Sequence, residues 1–90
     1  MDDADLRLDG NAAAGLLADL FAFDVTTAQA VCTGCHAVAP VGTLAAYGLP
    51  MGIILRCPGC DTALIRVTRV RSGNWLDLRG MSVLRVAATG

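Results

Sequence analysis

Two Cys-x-x-Cys pairs, Cys32-Thr33-Gly34-Cys35 and Cys57-Pro58-Gly59-Cys60, contain every cysteine of the chain, with 21 residues between them. This spacing is the signature of a four-cysteine metal site, and zinc is the ion it suits. Two residues between cysteines let one tight turn aim both sulfurs at a common point. Two such turns facing each other supply a tetrahedron of thiolates. Cys32, Cys35, Cys57 and Cys60 are therefore the expected ligands of one structural Zn2+ per chain. With four thiolates the coordination sphere is closed, leaving no position for water or substrate. The residue after each pair, His36 or Asp61, is expected to take a left-handed backbone, so that main-chain N–H groups can turn toward sulfur. His and Asp are enriched in that region among non-glycine residues. Gly34 and Gly59 relieve crowding inside the turns and Pro58 pre-sets the bend.

Such a staple answers a weakness in composition. The chain has 90 residues, and much of its apolar content is Ala, Val and Gly; its aromatic residues are Phe21, Phe23, Tyr47 and Trp75. Small side chains bury little area each, and a core of this size is near break-even against chain entropy. Four-cysteine zinc binding is worth roughly 10–16 kcal/mol in small metal-folded peptides.

Other readings of the cysteines fit less well. Cys32-Thr33-Gly34-Cys35-His36 also spells a c-type haem attachment sequence, which would leave Cys57 and Cys60 without a role. His36 as a substitute ligand would displace a cysteine. Thiol redox chemistry, helped by Arg56 beside Cys57, would ordinarily place one pair at a helix N-terminus, whereas both pairs here lie between strand-like runs. A thiol redox sensor is the lesser alternative function.

The remaining pattern is of mixed helix and strand. Residues 1–8 read as an acidic leader and residues 9–23 as an N-terminal helix packed on the ribbon, with Asp9 or Asn11 as cap. Ala13, Leu16, Leu17, Leu20 and Phe21 form the apolar stripe of that helix. Residues 24–86 read as the zinc ribbon domain, with strands over 28–32, 41–47, 51–56, 63–70, 75–79 and 81–86, and residues 87–90 as a tail. A turn centred on Ser72-Gly73 would pair Val70 with Trp75, Thr68 with Asp77 and Arg66 with Arg79. The Val67 and Leu78 side would then be core and the Trp75 side exposed. Ala37 to Leu55 is uncharged over 19 residues. Its prolines, glycines and flanking ligands make it a buried hairpin rather than a membrane span. The fold class expected is mainly β, a small α+β zinc ribbon of antiparallel strands with one N-terminal α-helix.

Charge is unevenly placed. Residues 1–49 carry six Asp and one Arg; residues 50–90 carry six Arg and two Asp. The chain has one His and neither Lys nor Glu. No hydrolytic constellation or phosphate loop is visible, so a non-enzyme is expected. The acidic N-terminus shows no export pattern, and reduced thiols suit a cytoplasmic location. The function expected is a non-catalytic binding or adaptor module for a protein partner, presenting Leu16, Leu20 and Trp75. The alternative is a nucleic-acid-binding ribbon using Arg56, Arg66, Arg69, Arg71, Arg79 and Arg85.

Several stretches are distinctive together: Asp9-Gly10-Asn11-Ala12, Phe21-Ala22-Phe23-Asp24-Val25-Thr26-Thr27-Ala28, the Cys32/Cys35 turn, Arg56-Cys57-Pro58-Gly59-Cys60 and Trp75-Leu76-Asp77-Leu78-Arg79-Gly80. With these, the chain resembles a family of short bacterial proteins known only as a domain of unknown function with a zinc-ribbon pattern. The resemblance implies the fold and the metal, and no activity.

Overall fold

The computed structural model describes residues 7–9 and 13–87, and these form two antiparallel sheets with one short helix. Strands β1 (Arg7–Asp9), β4 (Ala45–Leu49), β5 (Gly52–Arg56), β6 (Ala63–Val70) and β7 (Gly73–Asp77) make the larger sheet, in the order β1-β4-β5-β6-β7. Strands β2 (Gln29–Cys32), β3 (Val38–Pro40) and β8 (Met81–Arg85) make the smaller one, in the order β3-β2-β8. The helix α1 spans Ala14–Leu20.

The mainly β class and the single helix agree with the sequence reading; the boundaries differ in instructive ways. Asp9 pairs with Ala45 and Arg7 with Tyr47, so the end of the supposed leader is an edge strand, and Asp9 lies in that strand rather than at the start of the helix. Asn11, residues 1–6 and tail residues 88–90 lie outside the described residues. The cap position of α1 is Ala13, without a side-chain cap bond, and the helix stops at Leu20. Asp24 instead caps the short 3-10 turn Val25–Thr27, accepting the Thr26 N–H at 3.1 Å.

The expected strand over 41–47 is two elements. Val41–Thr43 is a 3-10 turn closed by the Thr43 hydroxyl donating to the Pro40 carbonyl at 2.7 Å, and β4 begins only at Ala45; just before them Val38–Pro40 is a further strand, paired with β2. This stretch has no charges and many small residues, so it shows no periodicity to separate strand from turn.

Between β6 and β7 the turn is Arg71-Ser72, not Ser72-Gly73. Thr68 therefore faces Trp75 and Arg66 faces Asp77 rather than Arg79. Gly73 is the reason: at φ 148 it opens β7 in a conformation that side chains disfavour. The slip is by two residues, so each side chain keeps its predicted face. The correction replaces two opposed arginines with an arginine opposite a carboxylate, a favourable cross-strand pair.

The core lies between the sheets. Ala46, Leu55 and Ile65 form one cross-strand row of the larger sheet, and all are buried. Ala30 and Cys32 face them from the smaller sheet, while Val25, Ala28, Val41 and Leu44 fill the space between. Leu17 of α1 is buried, and Leu16, Leu20 and Phe21 pack against the same cluster. The helical stripe thus packs on the core, with Leu16 and Leu20 left half-buried at its edge. Val67 is buried and Leu78 half-buried, whereas Trp75 is 71% exposed, as the faces predicted.

Candidate metal centre

Each Cys-x-x-Cys pair sits at the end of a strand and turns the chain back into the next one. Cys32 ends β2, and Cys57 follows β5 directly. The two turns are built alike. Cys32 N–H donates to the Ala37 carbonyl at 2.9 Å, and Cys57 N–H to the Thr62 carbonyl at 2.8 Å. His36 N–H donates back to the Cys32 carbonyl at 2.9 Å, as Asp61 N–H does to that of Cys57 at 2.8 Å. Both closing residues are left-handed, His36 at φ 64 and Asp61 at φ 68, as the sequence argument required. The structure therefore contains the same turn twice, once in each sheet.

The turns face each other. Cys32 Sγ lies 3.5 Å from Cys60 Sγ, and Cys35 Sγ lies 3.6 Å from Cys57 Sγ. All four sulfurs fall within 4.8 Å of one another. Four thiolates around a tetrahedral ion at about 2.3 Å set sulfur–sulfur edges near 3.8 Å. A disulfide would need about 2.05 Å. The spacing therefore fits a metal tetrahedron. His36 is not in the cluster, and neither Cys32 nor Cys35 is turned away from the second pair as haem attachment would require.

The sulfurs are not equivalent. Cys32 and Cys57 are buried; Cys35 and Cys60 are exposed. Burial opposes charge on Cys32, yet the N–H groups of Cys35 and Gly34 aimed at its sulfur bring the thiol down to about 6. Cys57 is lowered by the N–H groups of Cys60 and Gly59. Cys35 accepts the Ala37 N–H, but the crowding sulfurs of Cys57 and Cys60 push it up to about 11. The N–H groups thus favour charge on Cys32 and Cys57, while the neighbouring sulfurs disfavour it on Cys35. A divalent cation at the centre removes that conflict, since it attracts all four charges at once.

Second-layer contacts tie the two turns together. Thr62, after the second turn, lies over the first: a Cβ on Gly34 would meet its Oγ1 at 2.2 Å. The same hydroxyl is 3.1 Å from Cys60 Sγ. The Gly80 carbonyl accepts both the N–H and the hydroxyl of Thr33, at 2.9 and 3.0 Å. On its other side Gly80 presses on the strand leaving the second turn, where a Cβ would come within 1.6 Å of the Ala63 carbonyl oxygen. The bend before it is set by Asp77, which accepts the Arg79 N–H at 3.0 Å and pairs with its guanidinium at 2.8 Å. These bonds to Arg79 hold the Asp77 carboxyl down at about 2. The Leu78-to-Gly80 stretch thus acts as a strap, carrying the chain from β7 of the larger sheet to β8 of the smaller. Sequence reasoning missed Thr33, Thr62 and Gly80; the Asp-x-Arg-Gly spacing was the available signal.

The arginines do not converge. Arg56 donates to the Asp61 carbonyl at 3.0 Å, bracing the second turn, and Arg79 is engaged with Asp77. Arg85 stands on β8 in the smaller sheet, beside Thr27 and Gln29. Arg66, Arg69 and Arg71 belong to the β6–β7 hairpin, and only this group lies near Trp75 in the sheet. No helix among the described residues is long and apolar enough to cross a membrane.

In comparisons with known proteins, a family model described as a family of unknown function (DUF6510) matches residues 2–89. No curated protein and no solved structure matches the chain.

Proposed function

The chain belongs to the family of unknown function DUF6510, and from that premise we propose that it is a non-catalytic binding module held in shape by one structural zinc ion. The observation that carries the proposal is the convergence of Cys32, Cys35, Cys57 and Cys60, two sulfurs from each sheet, at tetrahedral spacing. Soft thiolates in a set of four select zinc or iron among the common ions. Zinc, without redox chemistry, suits a site whose work is to join two sheets. A closed thiolate sphere supplies no open position for a substrate, which favours a structural role.

What the module presents follows from what the core leaves over. Leu16 and Leu20 are half-buried against the core whereas Trp75 is largely exposed, so the favoured surface is the β6–β7 hairpin with Trp75. The zinc sets its position indirectly, because β6 leaves the second cysteine turn and the strap after β7 rests against the first.

The test is metal content and its consequence. Protein purified under reducing conditions should carry one zinc per chain by mass spectrometry of the elements. Exhaustive chelation should abolish cooperative melting, and added zinc should restore it. Iron in place of zinc would revise the metal. A chelated, reduced protein that keeps its circular dichroism and its melting transition would end the proposal.

A further inference from the structure

Residues 66–76 hold three arginines and no acidic residue, in a chain whose formal net charge is −1. They form the outer part of the β6–β7 hairpin, which is exposed from Arg71 through Leu76. Trp75, the sole tryptophan, is 71% exposed on the outward face of the sheet. It stands opposite Thr68, and Arg66 is its diagonal neighbour on the same face, two residues along β6. Arg71 lies in the exposed two-residue turn and also lines the groove on the other face. Arg69 pairs with Asn74 on the other face, across a groove of about 400 Å³ from Asp19.

This arrangement couples an indole free for stacking with positive charge on either side of it along the hairpin. An apolar protein surface would cover Trp75 but desolvate Arg71, and with it Arg66, whose cross-strand neighbour Asp77 is already bonded to Arg79, which is costly. A single-stranded nucleic acid meets both demands: a base stacks on the indole and the flanking phosphates meet the guanidinium groups. Duplex offers no unstacked base to Trp75. Deepening the reading of the chain as a binding module, on which this rests, we propose that the β6–β7 hairpin binds single-stranded nucleic acid, with a base on Trp75 and phosphates on Arg66 and Arg71. Arg69, with Asp19 across its groove, adds less.

The probe is a fluorescein-labelled twelve-residue oligothymidylate, titrated with zinc-loaded protein whose metal content and circular dichroism are checked on the same sample. Binding should be saturable at low salt and should quench the tryptophan emission. Two phosphate contacts and a weaker one at Arg69 give a slope of log K against log salt between about −1.4 and −2, since single strands lose about 0.7 per contact. Trp75→Ala should weaken binding about 10-fold or more, the scale of one lost base stack, while Trp75→Phe retains most of it. The pair Arg66→Ala with Arg71→Ala should reduce the slope by about 1.4. Arg85→Ala makes the same change in net charge as Arg71→Ala on the other sheet, and should leave binding unchanged.

Absence of binding by folded, metal-loaded protein would overturn this inference and leave the structural-zinc reading standing. Equal losses from Arg85→Ala and Arg71→Ala would reduce the interaction to overall charge, against the proposal. Tryptophan quenching by polyaspartate as strong as that by the oligonucleotide would assign the hairpin to an acidic protein instead. A sample that stays folded without metal would count against the earlier reading, whatever the oligonucleotide does.

Discussion

Gly80 and Gly15 should respond to alanine in opposite directions. A Cβ on Gly80 would lie 1.6 Å from the Ala63 carbonyl oxygen, 2.5 Å from its carbon and 2.8 Å from Leu64 Cα. These are backbone atoms of the strand that leaves the second cysteine turn, so no side chain can swing aside. Relief requires the strap to retreat by more than 1 Å, and the Gly80 carbonyl then loses the Thr33 N–H and hydroxyl. Overpacking of this kind costs about 1–3 kcal/mol. Two lost hydrogen bonds add about 1 kcal/mol each. The total, about 3–5 kcal/mol, is a large share of the ~5–15 kcal/mol available to a domain. At about 4–8 °C per kcal/mol for this size, Tm should fall by at least about 12 °C. Gly15 is exposed in the first turn of α1, and a Cβ there would meet nothing within 4 Å. Alanine at that position should gain up to about 0.5 kcal/mol, the low end of the interior helix-propensity difference, and raise Tm by a few degrees. The assay is thermal denaturation by circular dichroism with zinc in fixed excess, beside zinc retention against a chromogenic chelator. Gly80→Ala should also lose zinc faster, since the strap braces the first turn. If Gly80→Ala melts within about 3 °C of the parent, the strap does not hold the two sheets together and the reasoning fails.

Three further outcomes are expected. Leu55 is fully buried in the central row of the larger sheet, so Leu55→Ala should cost about 2–5 kcal/mol, read from urea midpoints; a loss under 1 kcal/mol would mean that the core is misplaced. The folded pKa of Asp77 lies below its ordinary value, so its contribution to stability is present above about 3.8 and is lost as pH falls through about 2. Its carboxyl carbon should therefore show almost no titration by NMR between pH 7 and 3, whereas Arg79→Ala should move most of the titration step into that window; identical curves would remove Arg79 as the cause. Limited N-ethylmaleimide treatment of the metal-loaded protein should modify Cys35 or Cys60 first, because Cys32 and Cys57 are buried; a first adduct mapped to either buried sulfur would contradict the geometry.

The metal centre was legible because its determinants are local. Two residues between cysteines, and a residue after each pair that tolerates positive φ, define the turn without reference to the rest of the chain. β6 was legible for a similar reason: Ala63 to Val70 runs uninterrupted from a ligand to a turn. What escaped depends on distant partners. Arg7–Asp9 is a strand only because β4 offers an edge, and its own residues carry no signal of that. Val38–Pro40 is too short and too small in its side chains to announce itself, and becomes a strand through Ala30 and Val31. The hairpin register failed by two residues because Gly73 looks like a turn centre but serves as the first strand residue. The transfer of β8 to the second sheet depends on Gly80 fitting against Ala63, a contact across seventeen residues that no periodicity encodes.

The same contacts explain why a single ion serves a chain so poor in large apolar residues. Each sheet contributes one cysteine turn, so the four sulfurs meet where the two sheets meet. Between the sheets the core is built of Ala, Val and a few Leu and Ile, which hold by area alone and resist sliding weakly. An ion with four ligands fixes distance and orientation together, which area cannot do. The Gly80 strap repeats the constraint from the outside, tied to the first turn by hydrogen bonds and pressed against the strand leaving the second by close contact. Metal and strap therefore restrain the same motion, the parting of one sheet from the other. The β6–β7 hairpin lies between these two restraints in the chain: β6 starts at the metal and β7 ends at the strap. A surface anchored at both ends needs little core beneath it, which is how Trp75 can stand exposed on a domain this small and still keep a defined position.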